Sequence, residues 1–134
     1  MELPVHHPFR SPESKDEYLA WYDARAKRWP VPSETRMVDT SFGQTFVRIS
    51  GAPDGAPLVL LPGAGLPSLQ WEFNIEALSR GHRVYAADNI YDFGRSVFTR
   101  PVKSIGDYVT WVDDLFSALS LTNDINLMGI SYGG

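Results

Sequence analysis

Three runs in the second half of this sequence are apolar almost throughout: "LVLL" at 58–61, "VYAA" at 84–87 and "INLMGI" at 125–130. A strand with a solvated face alternates polar and apolar side chains. Runs without alternation have both faces covered, which is the mark of a sheet packed between helices. The stretches between them have helical character. In "GAGLPSLQWEFNIEALSRG", Trp71, Ile75 and Leu78 recur at helical spacing, and Gly81 supplies a stop. In "SIGDYVTWVDDLFSALSL", Ser104 and Asp107 form a capping box. Ile105, Tyr108, Val109, Val112, Leu115, Phe116 and Leu119 follow at i, i+3, i+4 and i+7. Strands joined by crossover helices run parallel, so the expected class is α/β.

The first half reads differently. "SPESKDEYLAWYDARAKRWPVP" is expected to form a helix, opened by a Ser14–Glu17 capping box and closed by Pro30 and Pro32. Tyr18, Trp21, Tyr22 and Trp29 are candidates for its packed face. "TRMVDTSFGQTFVRIS" holds two β-prone runs about Phe42-Gly43-Gln44, the pattern of an antiparallel hairpin. The expected division is a helical extension over 1–33 and an α/β unit over 34–134.

The last apolar run leads straight into Gly129-Ile130-Ser131-Tyr132-Gly133, a G-x-S-x-G motif. A serine hydroxyl needs a base to become a nucleophile, but it first needs presentation. A sharp strand-to-helix turn lifts its oxygen above the sheet, and small residues at Gly129 and Gly133 make room for the turn. A developing oxyanion requires two donors. The amide of Tyr132, after the serine, is one candidate. The amide of Ala64, in the Pro62-Gly63-Ala64-Gly65 loop after the first apolar strand, is the other.

With those residues in place, the chain resembles the N-terminal part of the α/β-hydrolase fold, of the bacterial carboxylesterase-like kind. The stretches "LVLLPGAGLPSLQW", "VYAADNIYDFGRS" and "INLMGISYGG" carry the resemblance, which covers residues 34 to 134. It implies an oxyanion loop, an Asp-x-x-x-x-x-Gly-x-Ser turn (Asp88, Gly94, Ser96) and a nucleophile elbow. Many members have histidine before the oxyanion glycine, where this chain has Pro62. The family's triad runs serine, acid, histidine in chain order. Here His6, His7 and His82 all precede Ser131. The resemblance therefore implies that the triad acid and histidine come from sequence beyond residue 134. The chain is then a fragment whose physical partner is the C-terminal remainder of the same protein. The implied reaction is hydrolysis of a small carboxylic ester or related acyl substrate. No metal or organic cofactor is implied.

Two other functions fit parts of the pattern. A non-catalytic ligand-binding or interaction protein can share the fold. A dinucleotide-binding domain would use Gly63-Ala64-Gly65 after a strand and Asp88 at the end of the next, although Ser68 stands where a third glycine belongs. Composition narrows the rest. The net charge of -4 gives no basic surface for nucleic acid, and without cysteine there is no thiolate nucleophile or disulfide scaffold. No run is long enough to span a membrane. "MELPVHHPFR" lacks a basic segment followed by an apolar one, so the expected location is cytoplasmic.

Overall fold

The computed structural model describes residues 5–134. Its elements are helix α1 (Pro12–Ala26), strands β1 (Ser33–Thr40), β2 (Gly43–Ser50) and β3 (Ala56–Leu61), and a 3₁₀ segment (Ser68–Phe73). They continue with α2 (Ile75–Leu78), β4 (His82–Ala87), β5 (Val97–Phe98), α3 (Ile105–Ala118) and β6 (Asn126–Gly129). A last 3₁₀ turn covers Ser131–Gly133. The strands form one mixed sheet in the order β1-β2-β4-β3-β6, with β5 paired to β2. β1 and β2 are the expected hairpin, and β2 runs antiparallel to β4. β4 and β6 flank β3 in parallel, so their carboxyl ends gather at one edge.

Two apolar layers cover the sheet. On one face α3 brings Trp111 and Leu115, both fully buried, against Phe42, Val47, Ile49, Val59 and Leu61. The Trp111 indole donates to Thr45 Oγ1 at 2.8 Å, which satisfies its one polar atom inside the core. On the other face Leu58, Leu60, Val84 and Ala86 meet Trp71 and Ile75. α1 is fastened to that side through Tyr22, which packs with Phe46 and Leu69.

Several local expectations are corrected. α1 begins earlier than the Ser14–Glu17 pair suggests. Ser11 is the cap, its side chain accepting from the Ser14 amide, and Pro12 occupies the first turn, where its missing N–H costs nothing. Trp21 of the expected packed face is half exposed. The stretch after β3 is not one helix but a six-residue 3₁₀ segment followed by a four-residue α2. Its first amide, which the segment cannot satisfy internally, donates from Ser68 to Asp88. In α3 the expected stripe is rotated. Ile105 and Val109 are 85% and 53% exposed, while Trp111 fills the core position. The polar loop after β4 contributes the short β5, which extends the hairpin. β6 is not a buried strand. It pairs on one side only, and Leu127 and Met128 are exposed.

Candidate active site

Ser131 sits where β6 ends. Ile130 is still extended, and its amide donates to the Leu61 carbonyl at 3.3 Å, carrying the β3–β6 ladder one residue further. At Ser131 the backbone reverses with φ at +53°, the left-handed region. A serine there costs about 1–3 kcal/mol, and such cost persists only where the surroundings fix the turn. The surroundings are close. A Cβ on Gly129 would lie 2.0 Å from the Gly133 carbonyl oxygen, and a Cβ on Gly133 would lie 2.5 Å from the Leu61 oxygen. Backbone presses on backbone at both positions, so neither can yield cheaply. Gly129→Ala is expected to lower stability by about 1–3 kcal/mol through overpacking, read as a lower denaturation midpoint. An unchanged midpoint would contradict the tight approach of residues 129 and 133.

The loop after β3 lies beside this turn. Gly63 donates its amide to Gln70 Oε1 at 2.9 Å, and Gly65 donates to Asp92 Oδ2 at 3.0 Å. The Ala64 amide between them makes no hydrogen bond among the described residues, and neither does the Tyr132 amide. Two N–H groups without a partner among the described residues therefore stand just after the ends of the adjacent strands β3 and β6. Gly65 has φ at +77°, whereas Gly63 has ordinary space for a methyl group.

A polar chain backs both amides. Tyr108 of α3 donates to Asn89 Oδ1 at 2.9 Å, and the fully buried Asn89 donates to the Pro62 carbonyl at 3.0 Å. The Tyr108 ring meets Tyr132 edge to face at 5.4 Å. Burial raises the Tyr108 hydroxyl above its ordinary pKa, with Tyr132 and Asp92 adding to the effect, so it remains a donor. Gln70, Asn89, Asp92 and Tyr108 carry no sequence signal for this task. Only the fold brings them to the loop.

Asp88 follows β4 and is completely buried. Its carboxylate accepts from the Ser68 amide at 2.6 Å, the Arg95 amide at 2.8 Å and the Tyr22 hydroxyl at 2.8 Å. Burial, the largest influence, pushes its pKa up, and these donors pull it back. The dinucleotide reading needs Asp88 to face a ribose. With its oxygens committed to three donors and no exposed surface, it cannot.

No hydrogen bond joins the Ser131 hydroxyl to a histidine among the described residues. His82 opens β4, opposite Ala56 at the start of β3, whereas Gly129 stands opposite Leu61 at its end. At strand rise that separates them by roughly 16 Å along the sheet. His7 lies against Tyr91 and Phe98. Among the described residues no cluster of three or more His, Cys, Asp or Glu is arranged to hold a metal ion, and no helix is long and apolar enough to cross a membrane.

No family model matches the sequence. Carboxylesterase YbfK of Bacillus subtilis is 36% identical over 126 residues, 94% of this chain and 42% of that protein. The crystal structure of carboxylesterase CesB (YbfK) from the same organism superposes with a TM-score of 0.88 at 36% identity, covering 90% of this chain and 42% of the other. The B. subtilis naproxen esterase (carboxylesterase NP) gives 0.86 at 35% identity, covering 94% and 44%. The chain thus spans about two fifths of the length of these relatives.

Proposed function

For a chain that is homologous to bacterial carboxylesterases and has the architecture of the N-terminal part of the α/β-hydrolase fold, we propose a serine carboxylesterase function. One observation carries the reading. Ser131 stands in a left-handed turn at a strand's end, beside the unspent amides of Ala64 and Tyr132.

In this reading Ser131 Oγ attacks the carbonyl carbon of an ester. The electron pair of the C=O bond moves to oxygen, and the Ala64 and Tyr132 amides stabilise it there. Collapse expels the alcohol and leaves an acyl-serine, which water then hydrolyses. A histidine supplied by sequence beyond residue 134 takes the serine proton and returns it to the leaving alcohol. An acid from the same remainder orients that histidine. The remainder of the protein docks along the open edge of β6, where Leu127 and Met128 are exposed. Residues 34–134 form the first half of the hydrolase domain, and residues 1–33 are an extension that α1 anchors to it. The substrate is a small, partly apolar ester.

The test is intact-mass spectrometry of the full-length protein treated with a fluorophosphonate, followed by peptide mapping. A single adduct on Ser131 is expected. Ester turnover by the protein without an adduct on Ser131 would overturn the assignment. Labelling of Ser131 without turnover of any ester would favour a ligand-binding role on the same fold.

A further inference from the structure

A cleft lies away from Ser131, at the β1–β2 end of the sheet. It encloses about 1120 Å³ between α1, the hairpin and the segment around β5. Its floor is Arg48. Thr35 pairs with Arg48 and Met37 with Phe46, so all four residues share the face turned toward α1. Arg48 is only 6% exposed and forms no salt bridge with any described residue. Its Nε has no hydrogen-bond partner, and its Nη2 makes one long contact of 3.5 Å, to the Tyr22 hydroxyl. Three rings surround the guanidinium. Those of Phe46, Trp29 and Tyr22 lie 5.3, 5.4 and 6.0 Å from it.

Ring faces offset part of the cost of burying a cation, but a guanidinium with one long hydrogen bond remains short of acceptors. The nearest buried anion in this network, Asp88, lies behind the Tyr22 hydroxyl and is already served by three donors. Lys15, Arg95 and Arg100 also line the cleft, against a single carboxylate, Asp23, which pairs with Arg95. The Arg100 guanidinium lies over the Phe42 ring and donates to Ser41, so Arg48 and Lys15 are the two lining cations without a carboxylate or carbonyl partner among the described residues. The walls between them are apolar: Leu19, Met37, Phe46, Val97 and Phe98.

From this combination we propose that the cleft binds a small monocarboxylate with an apolar body, its carboxylate on Arg48 and its hydrocarbon against Met37, Phe46 and Phe98. A guanidinium fork matches a carboxylate in shape as well as charge. The site is separate from Ser131 and does not depend on the esterase reading.

The experiment is calorimetric titration of the full-length Ser131→Ala protein with octanoate and with neutral octanol. Octanoate is expected to bind one to one and at least tenfold more tightly than octanol. Arg48→Met should weaken octanoate at least tenfold and leave octanol within a factor of two. Lys15→Gln, at a half-buried point of the lining, should weaken octanoate two- to fivefold. That variant serves if Arg48→Met loses its circular-dichroism signature. Equal affinity for octanoate and octanol would overturn the proposal. So would octanoate binding that Arg48→Met or Lys15→Gln leaves unchanged, and so would loss of octanoate binding once a fluorophosphonate occupies Ser131 in the wild-type protein.

Discussion

Replacing Ser131 with alanine in the full-length protein is expected to lower kcat for a p-nitrophenyl ester by about 10⁶-fold, with KM changed little. Ser131 is exposed and its hydroxyl holds no hydrogen bond among the described residues, so its removal leaves no buried partner stranded. Alanine meets the same backbone demand at φ +53° that serine does, so the turn should persist and stability should shift by no more than about 0.5 kcal/mol. The Ala64 and Tyr132 amides stay in place, and the small residual rate should come from them. The measurement is a Michaelis–Menten curve beside a denaturation curve. Loss of activity with an unchanged midpoint supports nucleophilic catalysis by Ser131. Activity within tenfold of the parent would remove Ser131 from the chemistry. Activity lost together with stability would show that the turn, rather than the hydroxyl, had been damaged.

The strands that build this site are legible because their signal is local. "LVLL" and "VYAA" are apolar on both faces, and they are the two central parallel strands. The hairpin was readable from two β-prone runs around Gly43. What sequence pattern misjudged was decided by distant partners. The stripe in α3 lists Ile105 and Val109 as apolar, but only the docking angle of the helix tells that Trp111 points inward instead. The stretch after β3 breaks at Asn74 into two short pieces, and its first amide is satisfied by Asp88, twenty residues away. Pattern also gave β6 the same apolar character as its neighbours, yet burial depends on what pairs with its other edge. The site follows the same rule. The serine, its flanking glycines and the loop amides are consecutive residues with a recognisable order. Asn89 and Tyr108, which brace the loop, are nineteen positions apart and meet only in the fold.

Asp88 shows how much of the site's geometry rests on one side chain outside it, and Asp88→Ala should cost about 3–5 kcal/mol. The carboxylate joins three segments with no local reason to meet: α1 through the Tyr22 hydroxyl, the 3₁₀ segment through the Ser68 amide, and the loop after β4 through the Arg95 amide. The loop wraps it tightly. Gly94 has φ at +145°, and a Cβ there would lie 2.8 Å from Asp88 Oδ2. Ser96 continues the clasp, donating to the Asp88 carbonyl at 2.8 Å and accepting from the Phe46 amide at 3.0 Å. Alanine would strand three donors in a site without exposed surface. Each such loss costs about 1–3 kcal/mol, and because the three share one acceptor their costs should sum to less than three separate deletions. Asp88→Asn keeps one oxygen but turns an NH₂ group toward donors, so it should rescue only part of the loss. Urea denaturation of the parent, Asp88→Asn and Asp88→Ala should therefore give midpoints in that descending order. Asn89 is the next residue in the chain and holds the Pro62 carbonyl. Loosening Asp88 should thus also reduce kcat in whatever fraction remains folded, without touching Ser131. Equal midpoints for all three proteins would mean that the buried carboxylate is not what holds these segments together.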